Sequence, residues 1–164
     1  MAENKKILAI DPGNIESGYV LLWHDGQEIK EILLAGKVPN GKILEIIERE
    51  CNYDLAVEMI ASYGMPVGKE VFDTCTWIGR FEQVAGADTP IKRIYREDEK
   101  INLCGTKRAK DANIRQALID RFARFDFKNG KGKKDNQDFF YGFKADMWAA
   151  MAVAVTYFDM YVKK

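Results

Sequence analysis

Three carboxylates stand where a carboxylate has no cheap reason to be. Asp11 ends the apolar run Ile7-Leu8-Ala9-Ile10, Glu58 lies inside Leu55-Ala56-Val57-Glu58-Met59-Ile60, and Asp146 opens an apolar stretch at residues 147–155. A carboxylate buried alone is costly and prefers to be protonated. Two or three gathered around Mg²⁺ or Mn²⁺ are satisfied, because hard cations take carboxylate oxygens. Such a cluster can run two-metal hydrolysis of a phosphodiester, one ion generating hydroxide and the other stabilising the leaving oxygen. Taken singly, Asp11 is also the first residue of a Pro-Gly turn, and Asp146 a first-turn acid that complements a helix dipole. Glu58, between Val57 and Met59, has the weakest ordinary explanation.

The elements that must position these acids follow from periodicity and turn signals. Residues 7–10, 18–23 and 28–35 read as three strands of an antiparallel meander. His24-Asp25-Gly26-Gln27 is the hairpin turn between the second and third, with His24 expected at the surface. Ile43, Ile46 and Ile47 have helical spacing within residues 41–51, and Asn52-Tyr53-Asp54 breaks that helix. Residues 55–60 form a fourth, buried strand. The strand–helix–strand crossover makes it parallel to an earlier strand; placed beside the first, it brings Asp11 and Glu58 to adjacent strand ends. Gly64, Pro66 and Gly68 mark a loop before a helix at 69–86, with Val71, Cys75, Ile78, Phe81 or Glu82, and Ala85 along its inner side. A fifth strand spans 91–96. Residues 107–124 give an amphipathic helix with Ile114, Ala117, Leu118, Phe122 and Phe125 as its apolar stripe. The basic run Asn129-Gly130-Lys131-Gly132-Lys133-Lys134 reads as a mobile loop. The last helix, 143–161, is apolar nearly all round and should pack on the sheet, presenting Asp146 to the other two acids. The expected fold is α/β, a five-stranded mixed sheet of three antiparallel and two parallel strands flanked by helices, in one domain over 1–164.

Composition narrows the class. The chain has 164 residues, 47% hydrophobic and 30% charged, ordinary for a globular protein. No apolar run reaches a membrane span, and the first residues lack a signal-peptide apolar region, so no membrane partner and a cytoplasmic setting are expected. Cys51, Cys75 and Cys104 contain no CxxC and His24 is the only histidine, which argues against zinc. The cysteines read as reduced core residues. Net charge is zero, yet residues 91–134 hold 14 Lys or Arg against 6 Asp or Glu, a local excess of +8. That asymmetry suits one basic face for a polyanion, and it also suits a solvated charged surface. Trp77, Phe81, Trp148 and Phe158 read as core or dimer contacts.

The motifs resemble those of the RuvC-type Holliday junction resolvases, in the RNase H-like superfamily. Ile7 to Gly13, with Gly18 five residues on, is similar to that family's opening strand and hairpin. Ala56-Val57-Glu58 is similar to its second acidic motif, and Lys144-Ala145-Asp146-Met147-Trp148-Ala149-Ala150 to its closing helix. Lys100-Ile101-Asn102-Leu103-Cys104-Gly105 and then residues 107–114 resemble its strand, glycine and basic helix start. The match runs through most of the chain in order, and the compact length and divergent details look more like a phage-type member than a cellular one. The resemblance implies an RNase H-like fold, a homodimer, Mg²⁺ or Mn²⁺ at Asp11, Glu58 and Asp146, and symmetrical nicking of four-way DNA junctions. The family's basic residues fall on Lys100 and Lys110, with Lys107 and Arg108 in the same basic segment, all as candidate phosphate contacts. Tyr63 and Met65 occupy the loop from which the family stacks a residue on bases; an aromatic there can equally fold onto the surface. One position departs from the pattern: the fourth acid is expected one turn before the last, where this chain has Phe143. Either three acids suffice, or Asp138 or Asp135 swings in, or the second metal binds weakly. A catalytically weak junction-binding module stays open, as does an RNase H-like nuclease for another branched or hybrid substrate.

Overall fold

The structure, a computed structural model, describes residues 3–164. Strand β1 (Lys6–Asp11) shows how alternation builds the molecule. Side chains on a strand point to opposite faces in turn, so Ile7 and Ala9 join one apolar layer while Leu8 and Ile10 join the other. Strands β2 (Glu16–His24), β3 (Ile29–Pro39), β4 (Tyr53–Met59) and β5 (Ile91–Tyr95) complete a sheet of order β3-β2-β1-β4-β5. The β1–β2 and β2–β3 pairs are antiparallel, and β1–β4 and β4–β5 are parallel. The expected sheet is therefore the one formed. Tyr53 and Asp54, read as helix breakers, already belong to β4.

Helices cover both faces. Helix α1 (Asn40–Arg49) buries Ile43, Ile46 and Ile47, and α2 (Lys69–Ala85) buries Thr74, Ile78 and Phe81, against Leu8, Ile10, Leu55 and Val57. The opposite face takes α4 (Asp111–Phe122) and α5 (Ala145–Tyr157), the latter running into a π-helical turn at Phe158–Val162. Ala9 and Ala56 are small where Ala150, Ala152 and Ala154 lie in the same packed layer, so the helix can approach the sheet closely. Among the described residues no helix is long and apolar enough to cross a membrane.

Five expectations need correction. Residues 96–104 are helix α3 (Arg96–Cys104), where the motif match had implied a strand at 100–105. The basic helix begins at Asp111 and not at residue 107, and Phe125 lies beyond it, exposed. His24 is only 2% exposed: its ring packs on Phe158 with centroids 5.3 Å apart, and its Nδ1 accepts a hydrogen bond from Gly26 N at 3.1 Å. Burial lowers its pKa, which keeps it neutral. Cys51 is exposed and not in the core, while Cys75 and Cys104 are half-buried; all three are free.

The fifth is the basic loop. It is tied down by two aspartates and by a short hairpin, β6 (Gly132–Lys133) with β7 (Asn136–Gln137). Asp126 accepts from the backbone N–H groups of Asn129, Lys131 and Gly132. Asp138, 5% exposed, accepts from four, at Arg124, Phe125, Asp126 and Phe139, over 2.7–3.0 Å. Burial alone would raise the Asp138 pKa, but these donors outweigh it and hold the group at about 2. Both oxygens are consumed, so Asp138 is a loop anchor and not a metal ligand. Asp135 lies exposed in the turn between β6 and β7. Asp138→Ala would leave four backbone donors without their acceptor. It should cost about 3 kcal/mol and lower the thermal unfolding midpoint by about 10 °C. Calorimetry checks this, and an unchanged midpoint would show the loop to be held by something else.

Candidate active site

The acids meet because of register. Ile10 pairs with Val57 across the parallel β1–β4 ladder, so the next residues, Asp11 at the end of β1 and Glu58 one residue before the end of β4, stand side by side. Each sits two residues beyond an alanine of the α5-facing layer, Ala9 and Ala56, and therefore points to that same face. On the other side Asp11 pairs with Gly18 of β2. A Cβ at Gly18 would lie 2.5 Å from the carbonyl oxygen of Asp146 and 3.0 Å from its Cβ. The absent side chain thus lets the first turn of α5 rest on β2, beside Asp11.

The turn after Asp11 is locked by residues the sequence did not flag. Ser17 and Asn40 are both buried. Ser17 Oγ donates to Asn40 Oδ1 at 2.6 Å and accepts from Gly13 N at 3.1 Å, and Asn40 Nδ2 donates to Gly13 O at 2.9 Å. Gly13 itself is packed against the Glu16 carbonyl, where a Cβ would sit at 2.3 Å. These contacts fix the backbone from which Asp11 projects.

A fourth carboxylate, Glu99, joins the first two. It stands in the acidic first turns of α3, whose start follows directly on β5, and it is fully buried at 0% exposed. The Glu58 carboxyl lies in hydrogen-bonding contact with those of Asp11 and Glu99. Such contact needs a shared proton; with all ionised, Glu58 Oε1 and Glu99 Oε2 are buried with no donor. Burial, then mutual repulsion, raises the pKa of Asp11 and of Glu58 to about 8, and burial raises that of Glu99. Two cations border the group. Arg96 Nη1 lies 3.5 Å from Glu99 Oε1 and 3.9 Å from Glu58 Oε1, and the same guanidinium bonds Asp111. Lys37 pairs with Asp146 at 2.5 Å. Among the described residues no three His, Cys, Asp or Glu side chains already stand in a metal-chelating arrangement. Asp146, held by Lys37, is the member set apart. A groove of about 390 Å³ lined by Asp11, Pro12, Glu16, Lys37 and Asp146 opens Asp11 and Asp146 to solvent, with Glu58 and Glu99 behind its lining. A larger cleft of about 460 Å³, lined by Glu48, Cys51 and Asp88, contains none of them.

The raised carboxyl pKa values make a pH prediction for the metal-free protein. Between about 4 and 8 the folded chain holds protons that the unfolded chain releases, so stability falls as pH rises through that window. In EDTA the unfolding midpoint should drop by several degrees from pH 5 to pH 9, and Mn²⁺ should abolish most of the drop. A midpoint that rises with pH in EDTA would contradict this arrangement.

Phe143, where the motif resemblance placed a fourth acid, is part of the core. Phe143 packs against Phe140 and Trp148, each with centroids 5.1 Å away. The basic candidates lie on or near α3 and α4. Lys100 is half-buried on α3. Lys107, Arg108 and Lys110 are exposed in the segment before α4, with Lys107 ion-paired to Glu97. Tyr63 and Met65 are 66% and 70% exposed in the loop after β4.

Sheet order and helix placement define an RNase H-like α/β fold. Within it, the chain has the RuvC fold. It superposes on Thermus thermophilus RuvC with a TM-score of 0.67 at 17% identity, covering 97% of this chain and 98% of that one. It also matches T. thermophilus RuvC in complex with Holliday junction substrate, with a TM-score of 0.63 at 16% identity over 93% and 92% of the two chains. No protein-family model and no curated protein sequence matches the chain.

Proposed function

We propose that this protein is a metal-dependent endonuclease that nicks branched DNA, with four-way junctions as its preferred substrate and a homodimer as its working form. The observation that carries the reading is the pair Asp11 and Glu58 at adjacent parallel strand ends, with Asp146 seated across Gly18, inside a RuvC fold. The orphaned buried oxygens of Glu58 and Glu99 suit a hard cation, which takes oxygen ligands and removes the need for shared protons. Asp11, Glu58 and Asp146 would hold Mg²⁺ or Mn²⁺, which supplies a hydroxide nucleophile and stabilises the leaving oxygen.

The chain's own residues do the rest. The Ser17–Asn40 lock fixes Asp11, the ladder fixes Glu58, and Lys37 holds Asp146. Lys100, Lys107, Arg108 and Lys110 contact backbone phosphates, which position the duplex arms without reading sequence. Tyr63 and Met65 project far enough to stack on unpaired bases at a junction centre.

The test incubates the protein with a synthetic four-way junction, a replication fork and linear duplex in Mg²⁺ or Mn²⁺. Junction nicking is expected, lost in Asp146→Asn. Junction binding without cleavage in either ion would make the protein a binding module, and equal cutting of duplex would remove the junction preference.

A further inference from the structure

We propose that Glu99 is the fourth carboxylate of the metal centre, delivered by α3 in place of an acid one turn before Asp146. The inference rests on the metal-dependent reading above and assigns it one more ligand. A glutamate is almost never fully buried unless it is paired, and Glu99 is fully buried in the layer that holds Asp11 and Glu58. Its pairing is incomplete. Arg96 reaches only Oε1, at a long 3.5 Å, and Oε2 has no partner. Glu58 Oε1 likewise accepts no hydrogen bond, with Arg96 Nη1 no nearer than 3.9 Å. Two neighbouring carboxylates, each with a buried oxygen that accepts no hydrogen bond, suit a shared hard cation.

The topology supports the assignment. Glu58 pairs with Ile94 across the β4–β5 ladder, and α3 begins two residues later, so its first turns stand over the Glu58 end of the sheet. Asp11, Glu58 and Glu99 thus come from β1, β4 and the helix after β5, in the spatial order of the sheet. The position before α5 cannot contribute, because Phe143 is locked in an aromatic cluster with Phe140 and Trp148. A purely structural role, as the partner of Arg96, fits less well: the guanidinium also bonds the exposed Asp111, and one Glu99 oxygen is left unsatisfied.

Calorimetric titration of the DNA-free chain with MnCl₂ tests this directly. Glu99→Gln keeps the shape and removes the charge. It should weaken Mn²⁺ binding at least about tenfold and shrink the rise in unfolding midpoint that Mn²⁺ gives wild type. Its midpoint in EDTA should be equal or higher. Unchanged Mn²⁺ affinity, or a variant that unfolds in EDTA, would assign Glu99 to the Arg96 ion pair and overturn the proposal. Wild-type crystals soaked in MnCl₂ provide a measurement that needs no variant. An anomalous peak coordinated by Glu99 supports the assignment, and a peak held by Asp11, Glu58 and Asp146 with Glu99 outside refutes it. Failure of wild type to bind Mn²⁺ sinks the nuclease reading itself, whereas wild-type binding matched by Glu99→Gln sinks only this one.

Discussion

Glu58→Gln should abolish cleavage while making the metal-free protein more stable. Residues that merely orient a metal ligand are worth roughly 10- to 100-fold, so losing the central carboxylate should cost at least about 100-fold in junction nicking. The stability effect has the opposite sign. Glu58 lies between Asp11 and Glu99, and burial pushes its pKa to about 8. At pH 9 in EDTA the wild-type side chain is ionised among other carboxylates. The amide carries no charge and can donate to either neighbour. The variant's unfolding midpoint at pH 9 should exceed wild type by a few degrees, and the gap should close by pH 5, where Glu58 is protonated. Paired measurements of nicking and melting decide the matter: a variant that loses both would show Glu58 to be a structural residue. This exchange of stability for function is expected where a site must gather like charges.

Gly18→Ala is the second large effect, and it arrives through geometry. The added methyl would meet the Asp146 carbonyl oxygen at 2.5 Å and its carbonyl carbon at 3.0 Å, both backbone atoms that cannot swing away. The first turn of α5 must lift from β2. Overpacking of this kind costs about 1–3 kcal/mol. A shift of about 1 Å in a catalytic group can cost roughly 100-fold in rate, so nicking should fall by about that factor while junction binding persists. Gly41→Ala is the control. Gly41 lies in α1 with nothing within 4 Å of a built Cβ, and the substitution should leave nicking unchanged. Equal activity in Gly18→Ala and wild type would show that Asp146 is not needed where the structure places it.

Much of this arrangement was legible in the sequence because it rests on short-range patterns. The alternation in β1 and β4, the Asp-Gly hairpin and the helix between parallel strands suffice to bring Asp11 beside Glu58. What stayed hidden depended on burial of polar groups. Helix α3 reads Arg-Glu-Asp-Glu-Lys-Ile-Asn-Leu-Cys, and its one buried residue is Glu99. A pattern search seeks apolar residues on the inner face, so a helix whose inner face carries the acid escapes it. His24 was misread for a related reason: a turn residue is normally exposed, and here the π-helical turn after α5 brings Phe158 over it. The basic loop looked mobile by composition, while its order comes from Asp126 and Asp138 binding backbone donors. Ser17 and Asn40 carry no motif, and only their mutual distance reveals the lock on the Asp11 turn.

The seating of α5 on Gly18 bears on how the protein is made. A domain folds as a unit, and synthesis delivers its elements from the N-terminus. The five strands, and with them Asp11 and Glu58, precede the closing helix along the chain. Until that helix is translated, the sheet face bearing Ile7, Ala9, Val20 and Ala56 has only α4 to cover it and Asp146 does not yet exist. Closing contacts between distant parts of a chain is also the slow step of folding. Assembly of the proposed site and completion of this core layer therefore depend on the same last helix.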